Sequence, residues 1–286
     1  DRYPRRRDQT AAPAQAVSRR PAGARIGRQA VAIRPARPGL QTLRITPGDE
    51  LTGAAGSSQV RDSNGPALAA LALSEGASVV AIEQVGDDAS ATRAAVARLS
   101  AICDLLVTTG GVSVGAHDHV GAALESHFEL LAWRAAIQPG KPLLLGARRA
   151  DTTGAQFAVG VPGNPVSAFV IGMEVLLPLI RALSGRPAYG VELEGVLEEA
   201  VKSPVGRRSF LRLVALRTPN GDLDRDEVGR IRVRLAGGQG SHQTAPLAAC
   251  DALGVIAEEV GDLQAGAGIR LHPLSRATRR VATPNG

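Results

Sequence analysis

Residues 104–115 read DLLVTTGGVSVG, and this stretch indicates the fold of the larger part of the chain. Its first four residues have the apolar pattern of a short buried strand, and a glycine-rich turn follows them directly. A helical pattern at residues 118–127 comes next. A strand that enters a helix through such a loop is typical of a sheet covered by helices, so the stretch predicts an α/β domain.

The alternation of strands and helices continues on both sides of this stretch. Further strands are predicted at residues 41–46, 78–84 and 157–161. Further helices are predicted to end near residue 74, to span residues 88–101, and to run from residue 165 to about residue 183. Right-handed crossovers between such strands favour a doubly wound, mostly parallel sheet with helices on both faces. We therefore predict an α/β domain over residues 41–186.

After residue 187 the pattern changes to a period of two. Five strand-like runs are predicted, at residues 191–201, 209–216, 231–235, 254–259 and 268–272. Short strands without intervening helices, separated by Gly, Pro and Asp, are typical of a small barrel or sandwich. We predict a small C-terminal β-barrel domain over residues 187–280.

Composition excludes several classes of protein. The chain has 286 residues, of which 44% are hydrophobic and 21% charged, as in a globular protein of about two domains. No uninterrupted apolar run approaches the roughly 18–20 residues of a membrane span, so no membrane partner is predicted. Cys103 and Cys250 have no metal-ligand spacing, and a reducing, cytoplasmic location is the default expectation.

The positive charge is concentrated at the N-terminus. Residues 1–44 hold eleven Arg and two Asp, a net charge of +9, whereas the rest of the chain carries −3. Residues 1–40 are rich in Arg, Pro and Ala with little spaced apolar pattern, which predicts a disordered head. The alternative is an Arg-rich arm for phosphates, but aromatic residues do not interleave with the arginines there, so nucleic acid ranks last among the partners.

Three loops lie where open α/β sheets bind ligands, beyond the carboxyl ends of strands. The glycines of residues 108–115 let backbone N–H groups approach an anion, although a plain tight turn is the alternative. In PGNPVS, residues 162–167, Asn164 can cap a helix and Pro165 suits its first turn. In PGKP, residues 139–142, Lys141 stands in a rigid turn that is either an oxyanion clamp or a surface hairpin.

Acidic residues fall in the loops between strands and helices. They are Asp49, Glu50, Asp62 and Asp118. Carboxylates that converge can hold a hard cation such as Mg²⁺, whereas each one alone can equally be a helix cap or a solvated charge.

Taken together, these motifs resemble those of the molybdopterin molybdotransferases, the molybdenum insertase family of MoeA and gephyrin E-domain type. TTGGVSVG at residues 108–115, then Asp118, PGKP and PGNPVS occur in the family's order. PGDEL at residues 47–51, DSNG at 62–65, GRRSFLR at 206–212, and QGSH at 239–242 with ACDAL at 249–253 extend the resemblance over about residues 41–275.

The resemblance implies a molybdopterin-binding α/β domain followed by a barrel, and an Mg²⁺-dependent transferase. The enzyme takes adenylylated molybdopterin, releases AMP and inserts molybdate. The residues implied to bind the pterin substrate are Thr109, Gly110, Gly111, Val112, Gly115, Gln138, Pro162, Gly163, Asn164 and Pro165. Those implied to act in catalysis or to surround molybdate are Asp118, Lys141, Ser113, Ser167, Arg207 and Ser241. Those implied to bind the metal are Asp49, Glu50 and Asp118. Cationic and hydroxyl donors suit a tetrahedral dianion, and a divalent cation suits phosphoanhydride cleavage.

The chain departs from the family pattern at several points. Gln138 stands where many members have lysine, and Pro47 where they have a small or hydroxyl residue. Family members also carry a long N-terminal module, used in dimerisation, that residues 1–40 do not resemble. A truncated, non-catalytic pterin-binding or scaffold protein is therefore the alternative. A molybdopterin adenylyltransferase is disfavoured by the barrel and PGNPVS. The implied protein partners are the adenylyltransferase of the same pathway and, as in the family, a second copy of the chain.

Overall fold

The computed structural model describes residues 28–34, 62–85, 88–112, 119–154 and 156–274 of the chain. The N-terminal part contains β1 (Arg28–Arg34), α1 (Asn64–Ser74), β2 (Ser78–Val85), α2 (Ala89–Ser100), β3 (Leu105–Thr109), α3 (His119–Glu125), β4 (Phe128–Arg134), β5 (Ile137–Gln138), β6 (Pro142–Arg148) and β7 (Phe157–Val161). It ends in one long helix made of α4 (Pro165–Ile171), a π-helical turn (Gly172–Leu176) and α5 (Leu177–Leu183). The C-terminal part contains β8 (Leu193–Leu197), β9 (Arg208–Ala215), β10 (Ile231–Leu235), α6 (Thr244–Ala249), β11 (Ala252–Ile256) and β12 (Gly268–Pro273).

Six strands of the N-terminal part form one mixed sheet, in the order β2-β1-β3-β7-β6-β4. The α/β class is confirmed, but the expectation of a mostly parallel sheet is wrong. Among the described strands only β3 and β7 are parallel neighbours, and the other adjacent pairs are antiparallel. The reason is that β6 returns antiparallel to both β4 and β7, and that β1 lies antiparallel between β2 and β3.

The predicted disorder of residues 1–40 is wrong for Arg28–Arg34, which form β1. This strand pairs with β2 on one side and with β3 on the other. The stretch RQAVAIR places β-branched Val31 and Ile33 two residues apart, which is the period of a strand. The short motif was hidden within an Arg- and Pro-rich composition. The strand predicted at residues 41–46 lies outside the described residues.

Helices cover both faces of this sheet because β3 in its centre presents apolar side chains to both faces. On β3, Leu105 and Val107 face the core beneath α1, α4 and α5, whereas Leu106 faces the core beneath α2 and α3. All five residues of β3 are buried. Two apolar layers therefore hold the carboxyl ends of the strands in fixed positions.

The C-terminal part is a closed five-stranded barrel, as predicted. Its strands are ordered β10-β8-β12-β11-β9, and β10 also pairs with β9, which closes the ring. Its core is aliphatic and includes Leu197, Leu213, Ile231 and Leu271. The predicted strands at residues 231–235 and 268–272 agree closely with β10 and β12.

The two parts are joined by backbone pairing as well as by side chains. The short strand β5 pairs in parallel with the start of β9, Ile137 with Arg208 and Gln138 with Ser209. Below this pairing, Val166 and Val170 of α4 pack in one apolar cluster with Phe210 and Leu253 of the barrel. Residues from both parts therefore meet along the first turns of α4.

The long helix at Pro165–Leu183 is the one helix of the described residues that is long and apolar enough to cross a membrane, by length and composition only. Half of its most apolar window is buried inside the fold. Ile171, Leu177 and Ile180 pack against the sheet, which accounts for the apolar composition of this helix.

Candidate functional site

Two of the predicted loops meet at the carboxyl edge of the parallel pair β3 and β7. Thr109 and Val161 are register partners at the ends of these strands, and the Gly110 N–H donates to the Val161 carbonyl at 3.0 Å. Gly110 and Gly111 have φ of 71° and 68°, a conformation that glycine adopts without strain. Gly110 and Gly111 therefore turn the chain over the edge of the sheet beside the end of β7.

The PGNPVS loop is held from below by Asn64. The Asn64 side chain is 4% exposed, and its Nδ2 donates to the carbonyls of Gly163 at 3.0 Å and Pro162 at 3.4 Å. Asp62 Oδ1 accepts hydrogen bonds from the backbone N–H groups of Asn64 and Gly65. The DSNG motif thus links the start of α1 to the loop after β7.

The start of α4 agrees with the prediction in position but not in capping. Asn164 is the N-cap residue and Pro165 the first helical residue, but the exposed Asn164 side chain makes no capping hydrogen bond. The Val166 N–H donates to the carbonyl of Ser241 at 3.3 Å. Helix α4 is therefore capped by a loop of the barrel, and this contact brings Ser241 to the PGNPVS loop.

The PGKP turn lies between β5 and β6 at the same edge. The start of β6 lies beside the end of β7 because these strands are antiparallel, with Leu144 opposite Gly160. Gln138 and Lys141 are exposed, and no ion pair or side-chain hydrogen bond of Lys141 occurs within the described part of the chain. A Cβ added to Gly140 would lie 3.2 Å from Ile171 of α4, so the turn is packed closely against that helix.

The barrel brings two arginines of GRRSFLR towards this edge. Arg207 is exposed and precedes the β9 residues that pair with β5; among the residues described, it has no carboxylate partner. Arg212 is fully buried, and burial lowers the pKa of its guanidinium while the nearby Cys250 opposes that change. Burial raises the pKa of the Cys250 thiol to about 11, so the thiol is neutral at neutral pH.

Several of the residues predicted for binding or catalysis are buried in the fold. Thr109 and Val112 are each 2% exposed, and Ser167 is 4% exposed. The side chain of Val112 packs in the core beneath α2 and α3. For Thr109 and Val112 we therefore expect backbone groups, rather than side chains, to meet a ligand.

Some predicted site residues lie outside the described residues. They are Asp49, Glu50, Ser113, Gly115 and Asp118. Within the described ranges, no group of three or more His, Cys, Asp or Glu side chains is placed to hold a metal ion. The predicted magnesium ligands thus stay a prediction.

A cavity of about 280 Å³ lies beside the site, between the starts of α1 and α4 and helix α6 of the barrel. Asn64, Pro165 and Thr244 line it, and most of its other walls are apolar. A larger cavity of about 410 Å³ lies between α5 and the segment that leads into the barrel, where Tyr189 and His272 line it.

Sequence reasoning missed two residues that organise the site. Asn64 has no predicted role beyond its place in the DSNG motif, because its carbonyl partners are 98 and 99 positions away. Arg212 was quoted within a motif but given no role. The available signal was a single charged residue within the otherwise apolar run FLRLVAL, since a charge in a buried strand is rare without a reason.

Two family models match the chain in the order of its two parts. Residues 44–182 match the family described as "Probable molybdopterin binding domain". Residues 194–274 match the family described as "MoeA C-terminal region (domain IV)".

Curated relatives and a solved structure agree with these matches. Molybdopterin molybdenumtransferase from Haemophilus influenzae is 34% identical over 174 residues, 60% of this chain and 40% of that protein. Molybdopterin molybdenumtransferase 2 from Mycobacterium tuberculosis is 33% identical over 251 residues, 84% of this chain and 58% of that protein. The chain therefore spans about half the length of these relatives. The crystal structure of a molybdopterin biosynthesis MoeA protein from Pyrococcus horikosii shares the fold, with a TM-score of 0.57 and 23% identity over 77% of this chain and 50% of that one.

Proposed function

Because the chain belongs to the MoeA-type family of molybdopterin-binding proteins, we propose that it inserts molybdate into adenylylated molybdopterin with release of AMP. One observation carries the proposal: the glycine-rich turn, the PGKP turn and the PGNPVS loop converge at one sheet edge, where Ser241 of the barrel joins them. A substrate with a nucleotide, a pterin and an oxyanion needs such a set of loops from two domains.

The oxyanion end of the site is proposed to lie between the PGKP turn and the barrel. Lys141 and Arg207 are exposed cations without carboxylate partners among the described residues, so their charges are available to a dianion. The hydroxyl of Ser241 can add a neutral donor. Gln138 supplies amide donors without a charge, so we expect weaker anion binding than with a lysine there.

The pterin and nucleotide end is proposed to lie over the glycine-rich turn and the PGNPVS loop. The positive φ of Gly110 and Gly111 removes side chains from the rim, so that a ligand can approach the backbone closely. Gly163 and exposed Asn164 provide the facing wall. Asn64 keeps that wall in place through the two loop carbonyls.

Mg²⁺ dependence is part of the proposal and rests on the resemblance. A bound Mg²⁺ would offset negative charge on the phosphoanhydride as AMP leaves. Asp49, Glu50 and Asp118 are the proposed ligands. We expect an excess of EDTA to abolish AMP release and added Mg²⁺ to restore it; activity that persists in EDTA would remove the metal from the proposal.

The proposal is tested by AMP release from adenylylated molybdopterin with Mg²⁺, with and without molybdate. We expect molybdate to accelerate release, and Lys141→Ala to lower the molybdate-dependent rate by about tenfold or more, because a charge-assisted contact to the dianion is lost. Arg225→Ala is the matched control. It removes one exposed positive charge from the hairpin beyond the far end of β9, and its rate should equal that of the wild type.

The outcomes separate the candidate functions. Unchanged turnover in Lys141→Ala would remove Lys141 from the site. Binding of the adenylylated substrate without any AMP release would favour a non-catalytic pterin-binding protein. Formation of the adenylylated substrate from ATP and molybdopterin would indicate an adenylyltransferase, which the barrel disfavours.

The partners and location follow from the same proposal. We propose that the pathway's adenylyltransferase, whose product is this protein's substrate, is a partner, and that the reaction takes place in the cytoplasm. Self-association as in the family is a further proposal, and sedimentation of the purified chain would test it.

A further inference from the structure

Arg212 is a fully buried cation that lacks a counter-ion among the described residues. It lies in the middle of β9 and is 0% exposed. Its Nη2 donates to the carbonyl of Gly238 at 2.8 Å and to that of Gly240 at 3.4 Å, while Nε and Nη1 have no hydrogen-bond partner. Burying a guanidinium in this way is costly, because two partial carbonyl charges replace a full hydration shell.

The backbone of Arg212 is attached to the same loop. Its N–H donates to Gln239 Oε1 at 2.9 Å, and its carbonyl accepts from the Ala236 N–H and from Gln239 Nε2. Gln239 Nε2 also donates to the Gly237 carbonyl at 2.9 Å. Residues 236–240 are therefore folded around one position of β9.

This loop ends at the boundary between the two parts of the protein. Ser241 follows Gly240 directly, and its carbonyl accepts the N–H of Val166 in the first turn of α4. A carbonyl bound by Arg212 and the carbonyl that contacts the α/β domain thus belong to adjacent residues. Any shift of the loop would move Ser241 relative to the PGNPVS loop.

We propose that Arg212 is a positioning residue of the oxyanion site, which holds residues 237–241 against α4 and leaves a buried positive charge beneath them. The inference rests on the proposed function, since it assigns this charge to the binding of the same oxyanion. It explains why a costly residue occupies a strand whose neighbours are aliphatic. In a low-dielectric interior the field of an unpaired cation reaches farther than that of a solvated one.

The test compares Arg212→Met, Arg212→Lys and the surface control Arg225→Met. Hydrogen exchange of the amides of residues 237–243 reports the loop without any ligand. Calorimetric titration with molybdate alone reports the anion site, and thermal unfolding reports the fold. We expect Arg212→Met to keep the wild-type Tm or exceed it, because methionine fills similar space without a buried charge. Its loop amides should exchange faster, and molybdate should bind about tenfold more weakly.

Arg212→Lys separates charge from positioning. Lysine keeps the charge but lacks the rigid guanidinium plane that holds Nη2 within reach of both carbonyls, so we expect partial recovery of molybdate affinity with little recovery of loop protection. If Arg212→Met does not fold, the comparison of Arg212→Lys with the wild type still tests whether Arg212 positions the loop. The control should match the wild type in all three measurements.

Two results would overturn the inference. One is a lowered Tm with wild-type loop exchange and wild-type molybdate affinity, which would make Arg212 a residue of the barrel core only. The other is equal affinity in the Lys and Met variants, which would remove the contribution of charge. A third result is that the wild type binds no molybdate while the amides of residues 237–243 still exchange faster in Arg212→Met. In that case the proposed function fails and the positioning role stands.

Discussion

The two halves of the candidate site hold their loops with the same device but with different chemistry. In the α/β domain, the neutral amide of Asn64 donates to the carbonyls of Pro162 and Gly163. In the barrel, the charged side chain of Arg212 donates to the carbonyls of Gly238 and Gly240. Both anchors are buried, and both keep polar atoms without partners, Asn64 Oδ1 among them.

The two anchoring side chains, Asn64 and Arg212, differ in charge, and this difference changes what each contributes to its loop. A neutral donor fixes the shape of a loop at low cost, because an amide is less expensive to bury than an ion. A guanidinium holds the loop equally well and adds positive charge near its backbone. The anchor of the α/β half therefore fixes the conformation of its loop, whereas the anchor of the barrel half fixes a loop and also places a positive charge beside it.

The largest expected effect tests the neutral anchor. Asn64→Asp keeps the shape of the side chain but replaces the Nδ2 donor with a carboxylate oxygen that faces two carbonyls. We expect a loss of about 3 kcal/mol or more in the free energy of unfolding at pH 7, because a buried charge is left without a donor. Urea unfolding measures it.

Asn220→Asp is the matched control for that variant. It makes the same chemical change at an exposed turn, where we expect a change within about 0.5 kcal/mol. Equal effects at the two positions would mean that Asn64 does not anchor the loop.

A smaller effect compares close packing in the two halves. A Cβ at Gly160 would lie 2.6 Å from Val112 Cγ1 and 3.0 Å from Leu144 Cβ, atoms near the backbone that cannot turn away. A Cβ at Gly254 would meet the side-chain ends of Leu213 and Ile269, which have other rotamers.

We therefore expect Gly160→Ala to cost about 1–3 kcal/mol and Gly254→Ala less, as measured by chemical denaturation. Because Val112 belongs to the glycine-rich turn, Gly160→Ala should also disturb that turn. A larger cost at Gly254 would reverse the comparison and show that the barrel core is the more rigid of the two.

The smallest effect concerns the far side of the boundary, where His272 of the barrel meets Glu174 of the long helix at 2.8 Å. Burial alone would lower the pKa of His272, but hydrogen bonding and charge from Glu174 and Glu192 raise it above 6.5. A raised pKa means that the protonated form stabilises the fold. That contribution is complete below pH 6.5 and is lost as the pH rises through the raised pKa.

We expect His272→Gln to lower stability at pH 5.5 by roughly 0.2–1 kcal/mol and to change it little at pH 9. Thermal unfolding of both proteins across this range measures the difference. Glu174→Gln should remove most of the same pH dependence. A wild-type minus variant difference that grows with pH would contradict the assignment.

The elements that could be predicted are those whose pattern is local. The bounds of β7 and β10 and the end of α1 agree with the sequence pattern because Pro or Gly follows each of them within two residues. The antiparallel pair of β4 and β6 was missed, since its strands flank the PGKP turn that was interpreted for its chemistry. Helix α6 was also missed, because none of its residues is buried and it has no apolar stripe.

The candidate site was predictable as a set of loops but not as a set of contacts. Glycine- and proline-rich turns after strands can be recognised from a short stretch of consecutive residues. The hydrogen bond from Val166 to Ser241 joins positions 75 residues apart, and neither segment has a sequence pattern that predicts it. The register that places Gln138 beside Ser209 is equally invisible along the chain.

The amino-acid order alone determined the two-part architecture and the loops that carry the chemistry, since periodicity, turn residues and caps act within a few positions. The tertiary structure decided the mixed sheet, the place of β1 within it, and the anchoring of each loop by one distant buried donor. Those features depend on which strands pair and which carbonyls need a partner, and hydrogen bonds and burial settle both only when the whole chain has folded.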